Sequence, residues 1–303
     1  MTEGRVILYL VWAVLIAPLP VFLVWQHMKD SAQRRQRYSR GQDASPTAAR
    51  ILSRMRRKRQ TTLLLTPTQS PGFSKLGGQP ELPSDTAWPE AGGAPRAFLA
   101  QLDLTDVKAA GGPDWLPEAG RLYAFVDING AGLADYVRVI HSLEPGADAA
   151  AWPEGLPQKL RFPERRAGFL ALPSTPSLDW LGIDVREIDV SDEELDTLSD
   201  TPAEPFGDEL QHRIGGYPSE IQETRMALEC EHLARGLPSP SWDEEIPPAI
   251  DRASKSWRLL LQIDSDPALK MNWGDAGRLY VFIREKHATA ADFSRTVTLW
   301  ETH

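Results

Sequence analysis

Three carboxylates, Asp264, Asp266 and Asp275, have the spacing in this chain that most suggests chemistry. They lie in Leu260-Leu-Gln-Ile-Asp-Ser-Asp and Asn272-Trp-Gly-Asp-Ala-Gly, two stretches joined by a short loop. Asp264 and Asp266 are two apart at the end of a predicted strand, so they point the same way, and Asp275 sits in the returning loop. Brought together, the three would give oxygen ligands to Ca²⁺ or Mg²⁺ and could support a metal-assisted hydrolase. The spacing is not that of an EF-hand. The same residues also suit a plainer role, capping loop amides as Asx-turns while Gly274 and Gly277 take positive φ. Gln101 and Gln262 are the second pair of interest. Each lies within an apolar predicted strand, where its amide must be satisfied by other protein groups or by a ligand between two lobes. Trp273, in the loop beside the carboxylates, joins them as a candidate ligand contact.

Other chemistries lack their residues. The six histidines show no zinc spacing, and the single cysteine, Cys230, leaves neither an intramolecular disulfide nor a thiolate cluster. Gly77-Gly78-Gln79-Pro80 and Gly215-Gly216-Tyr217-Pro218 are not phosphate loops, because no Gly-Lys-Ser/Thr follows and proline interrupts the helix start. No Gly-x-Ser-x-Gly elbow is present. No cofactor is expected beyond a divalent cation at the three aspartates, and the reading leans away from an enzyme.

The elements that must position these residues recur. Gly-Gly-x-Pro, a Gln-x-Asp strand and a Gly-Arg-Leu-Tyr strand follow one another twice, through Gln101 and Tyr123 and again through Gln262 and Tyr280. This predicts a duplicated unit with repeats at about 70–145 and 210–303. Strands are predicted over Arg96–Asp103, Arg121–Asp127, Tyr136–Ser142, Phe169–Leu172, Ile183–Val190, Trp257–Asp266, Arg278–Ile283 and Phe293–Leu299. The pairs Ser191/Glu194 and Ser219/Gln222 have capping-box spacing, predicting a short helix to about Ser199 and a longer one to Arg235.

The N-terminal region has a different character. Val6–Trp25 is an uncharged apolar run of 20 residues, about 30 Å as a helix and so the thickness of a bilayer core. Lys29, Arg34, Arg35, Arg37 and Arg40 follow it, which by the positive-inside rule puts the C-terminal side in the cytoplasm. Thr47–Gln60 reads as a basic helix. Arg56, Arg57, Lys58 and Arg59, with Arg34, Arg35 and Arg37, either contact anionic lipid or serve as a solvated topology signal. Residues 61–303 carry 21 basic and 39 acidic side chains, a net of −18 that disfavours nucleic acid and favours a basic partner.

Taken together, Arg213-Ile-Gly-Gly-Tyr-Pro, Leu260-Leu-Gln-Ile-Asp-Ser-Asp, Asn272-Trp-Gly-Asp-Ala-Gly-Arg-Leu-Tyr and Gly78-x-Pro-x-Leu-Pro with Trp88-Pro resemble the YwqG-like family of uncharacterised bacterial proteins. The resemblance covers roughly residues 70–300. It implies an α+β, antiparallel-sheet-rich domain without an assigned activity, and associates such domains with toxin-immunity or accessory roles. Lys286-His287 departs from the Asp-Leu pair more usual there. The expectation is an N-terminal transmembrane anchor (1–28), a basic stalk and helix (29–65) and a duplicated YwqG-like domain (66–303). It would sit at the bacterial inner membrane, with its cytoplasmic domain binding a ligand or a basic protein.

Overall fold

The computed structural model describes residues 44–70, 72–128, 136–144, 146, 148–203, 211–222, 225–241 and 243–303. Val6–Trp25, together with Arg34, Arg35 and Arg37, lies outside them. Among the described residues no helix is long and apolar enough to cross a membrane. The expected architecture, a transmembrane helix followed by an α+β domain, is therefore corrected. Among the described residues are six α-helices and one long antiparallel sheet, which makes the larger of two compact units a sheet-rich, nearly closed barrel.

The helices are α1 (Pro46–Arg57), α2 (Leu104–Ala109), α3 (Asp192–Asp200), α4 (Met226–Ala234), α5 (Pro248–Ser254) and α6 (Glu285–Thr289). The strands are β1 (Gln60–Pro67), β2 (Lys75–Leu76), β3 (Glu90–Ala91), β4 (Ala94–Pro95), β5 (Ala97–Asp103), β6 (Arg121–Val126), β7 (Val137–Ser142), β8 (Arg165–Ser174), β9 (Arg213–Ile214), β10 (Trp257–Asp264), β11 (Arg278–Arg284) and β12 (Val297–Glu301).

The chain divides into two compact units. The smaller, Met1–Arg54 with Val185–Thr201, contains α3 and the first part of α1. Ala48, Ile51 and Leu52 are buried at helical spacing on α1. The capping box of α3 forms as its sequence dictates. Glu194 N donates to Ser191 Oγ at 3.3 Å, and Ser191 N to the Glu194 carboxylate at 3.0 Å. Glu194 also accepts Ser45 N at 2.6 Å. These backbone donors, Ser191 first, hold its carboxyl below the usual range.

The larger unit, Met55–Asp184 with Pro202–His303, is built on one antiparallel sheet in the order β12-β11-β10-β9-β1-β8-β2-β5-β6-β7. The order has a centre. β1 and β8 pair from Gln60↔Ser174 to Pro67↔Ala167, and a two-residue strand flanks each, β9 on β1 and β2 on β8. Outward from each lies a three-strand meander. Both inner meander strands carry a bulge, between Phe98 and Ala100 in β5 and between Leu259 and Leu261 in β10. The edges of the sheet approach each other, with Val137 N donating to Thr298 Oγ1 at 3.2 Å.

Both faces of β5, β6, β10 and β11 are covered, so these strands read as nearly continuous apolar runs. Leu99, Leu102, Leu122 and Val126 of one half share an interior cluster with Leu261, Ile263, Leu279 and Val281 of the other. On the outer faces, Trp257, Leu259, Tyr280 and Phe282 pack with Met226 and Cys230 of α4, whereas Phe98, Tyr123 and Phe125 pack beneath Leu82 and Trp88 of the segment between β2 and β3. Each Gly-Gly turn follows its short strand with both glycines at positive φ. A Cβ on Gly77 would lie 2.1 Å from Pro163 O, and one on Gly216 would lie 2.7 Å from Thr62 Cβ, so no other residue fits there.

Three predicted elements are corrected. Residues 183–190 form no strand but a 3₁₀ turn, Val185–Glu187. The second long helix begins at Met226, not after Ser219. The last strand is shifted to Val297–Glu301, with a 3₁₀ turn at Phe293–Arg295.

Candidate functional site

The two glutamines occupy matching positions in matching hydrogen-bond networks. Gln101, fully buried, accepts Glu81 N at 2.9 Å and donates to Phe73 O at 2.8 Å. Gln262 accepts Ser219 N at 2.9 Å and donates to Asp264 Oδ1 at 2.8 Å. In each half the tyrosine on the neighbouring strand closes the same turn: Tyr123 Oη donates to Glu81 O at 2.8 Å, and Tyr280 Oη to Ser219 O at 2.7 Å. The glutamines thus bind each Gly-Gly-x-Pro turn to its meander. Their amides are spent on protein groups, not presented in a cleft.

The three aspartates do not converge. Asp264, nearly fully buried, accepts Gln211 N at 2.9 Å and lies 3.5 Å from Arg278 Nε. Asp266 caps the turn Pro267–Leu269, accepting Ala268 N at 2.8 Å, and pairs with Arg165 at 2.6 Å and His212 at 3.1 Å. Asp275 is exposed on the loop, where its carbonyl accepts His303 N at 3.0 Å. Among the described residues no group of three or more His, Cys, Asp or Glu could hold a metal. The expectation of a three-aspartate metal site is corrected, because the first two carboxylates are consumed as ion-pair and capping partners. Burial works to raise the Asp266 carboxyl. The hydrogen bond from His212 and the field of Arg165 outweigh it, leaving the carboxyl below the usual range.

His212 and Asp266 have the look of a catalytic dyad, but the imidazole has no free nitrogen. Asp264 N donates to Nδ1 at 3.1 Å, so the proton of the neutral ring is on Nε2 and points at Asp266. Burial holds this ring below its ordinary pKa despite the neighbouring carboxylates. Trp273 is core, edge-on to Phe162 with ring centroids 6.1 Å apart. Of the predicted lipid-facing residues, Arg56, Arg57, Lys58 and Arg59 are exposed, and Arg59 donates to Thr175 Oγ1 at 3.0 Å.

A group that the sequence reading did not single out lies on the outer face of the second half. Asp179 is in a 3₁₀ turn, Glu220 follows the second Gly-Gly-Tyr-Pro, and Glu301 ends β12. Trp180 Nε1 donates to Glu220 Oε1 at 3.0 Å, and its ring lies against Tyr217 and stacks on Phe282, with centroids 5.6 and 6.2 Å away. Glu301 accepts Ile221 N at 2.6 Å and is 3.1 Å from Tyr280 Oη. Burial, then the Asp179 charge, pushes the Glu220 carboxyl up to about 8. Burial pushes Asp179 up to about 6, although Arg225 pulls it down. Glu229 of α4 is raised too, by burial and then by Glu301. Carboxyls held near neutrality by desolvation and mutual repulsion, beside an aromatic ring, have the marks of a functional site. No short motif could have revealed the group, since its members come from separate segments. The nearest signal is Glu220, two residues after the second Gly-Gly-x-Pro.

No match was found among curated proteins. The family described as a domain of unknown function (DUF1963) matches residues 74–302, from the start of β2 through β12. That span takes in both meanders, both Gly-Gly turns and every member of the carboxyl group, and on it the chain belongs to the DUF1963 family.

Proposed function

We propose that this DUF1963 chain, of the YwqG-like type, is a binding module that receives a basic group of its partner at Asp179, Glu220 and Glu301. The observation that carries this reading is the environment of Glu220. Its side-chain hydrogen bonds come from neutral donors, Trp180 and Ser177, while two other carboxylates act on it. An ammonium or guanidinium placed there would relieve the repulsion and could lie over an aromatic ring. The net charge of −18 over 61–303 would steer such a partner inward. A basic protein fits this chemistry, in keeping with the immunity or accessory role that the family resemblance implies.

The test is a calorimetric titration of the full chain with a tetra-arginine peptide at pH 6 and pH 8.5. A bound cation displaces protons from Glu220 and Asp179, so affinity should rise with pH by about tenfold, roughly 1.4 kcal/mol. Glu220→Gln should flatten that dependence. Absence of binding, or a pH dependence unchanged by the substitution, refutes the reading.

A further inference from the structure

An open concavity of about 820 Å³ lies between the end of α5, the turn at Ser256 and α6. Its walls carry four cations, Arg252, Lys255, Arg258 and Lys286, against one carboxylate, Glu285. That excess is opposite in sign to residues 61–303 as a whole, where 39 acidic side chains outnumber 21 basic ones.

The four cations are held differently. Arg258 is fixed: Nη1 donates to Lys255 O and Trp257 O, each at 2.9 Å, and Nη2 to Glu285 at 2.8 Å. Lys255 pairs with Asp251 at 2.7 Å in a contact exposed on both sides, the kind an incoming anion readily exchanges. Arg252 and Lys286 are exposed and form no ion pair among the described residues. The hydroxyls in the wall are occupied, Ser256 donating to Ala253 O and Thr289 to Glu285 O. Recognition here rests on charge and on the guanidinium fork, which suits phosphate oxygens.

We propose that this groove binds a phosphate-bearing small anion, with Arg258 as its fixed floor and Arg252 and Lys286 closing on the ligand from α5 and α6. The positive field is felt nearby. After burial, Lys286 and Arg295 are the next causes that lower the His287 imidazole. The site is separate from the carboxyl group and does not depend on the function proposed for it.

The probe is inorganic tripolyphosphate, titrated calorimetrically into the full chain at low salt. Saturable binding is expected, weakened at least about tenfold by combining Arg252→Glu with Lys286→Glu, and weakened again in high salt. Arg138→Glu, an exposed charge on β7, should leave the affinity unchanged. If the double reversal disturbs the thermal transition, Arg252→Gln with Lys286→Gln makes the same comparison. Absence of saturable binding, equal loss in the Arg138 variant, or adsorption to phosphatidylglycerol vesicles without tripolyphosphate binding overturns the proposal.

Discussion

At the scale of single residues, Glu220 and Gln262 make opposite demands on the fold. Glu220 and Asp179 have folded pKa values of about 8 and about 6, above their ordinary values of 4.5 and 3.8. The folded chain therefore holds protons that the unfolded chain has released. Stability falls as pH rises from the ordinary values through the folded ones, between about 4 and 8. Glu220→Gln should raise the melting temperature at pH 8.5 by a few degrees and leave it nearly unchanged at pH 4, as a thermal melt at each pH will show. Gln262 has no such latitude. Gln262→Leu would strand Ser219 N and remove a donor to Asp264, costing about 2–4 kcal/mol in urea unfolding. Cys230 is fully buried, and desolvation raises its thiol well above the usual range. It should resist a thiol-alkylating reagent in the native chain and react only under denaturant, read by intact mass.

At the scale of elements, two capping signatures of the same form met different fates. Ser191/Glu194 caps α3 because its partners are local. Ser219/Gln222 caps nothing because tertiary groups claim its backbone: Gln262 takes Ser219 N, Tyr280 and Arg278 take Ser219 O, and Glu301 takes Ile221 N. Ser191→Ala should cost about 1 kcal/mol, seen as faster amide exchange within α3. The Gly-Gly turns are less forgiving. Gly216→Ala would force a side chain at φ +72° into Thr62 and Ser174, and should cost more than about 2 kcal/mol in urea unfolding. Residues 183–190 alternate like a strand, yet they have no ladder partner among the described residues and fold as a turn.

At the scale of the whole molecule, the most consequential strand is the one the sequence announces least. β1, Gln-Thr-Thr-Leu-Leu-Leu-Thr-Pro, directly follows a basic helix and precedes the family match, yet it pairs with both β8 and β9 at the centre of the sheet. Deleting Gln60–Pro67 should abolish the cooperative unfolding transition, since β8 then keeps only its two-residue pairing with β2 and β9 only its contact with β10; circular dichroism on heating will report it. The sequence alone set out the local parts. The Gly-Gly turns, the meander strands and the matching Gln and Tyr positions were legible because each depends on periodicity or backbone conformation within a few residues. Tertiary structure decided which polar side chains became architecture and which were left with raised proton affinity. Asp264 and Asp266 were taken up by Arg278, Arg165 and His212, whereas Glu220 was desolvated next to Asp179 and Glu301. Burial and charge at those positions are set by segments far apart in the chain, and no local spacing encodes them.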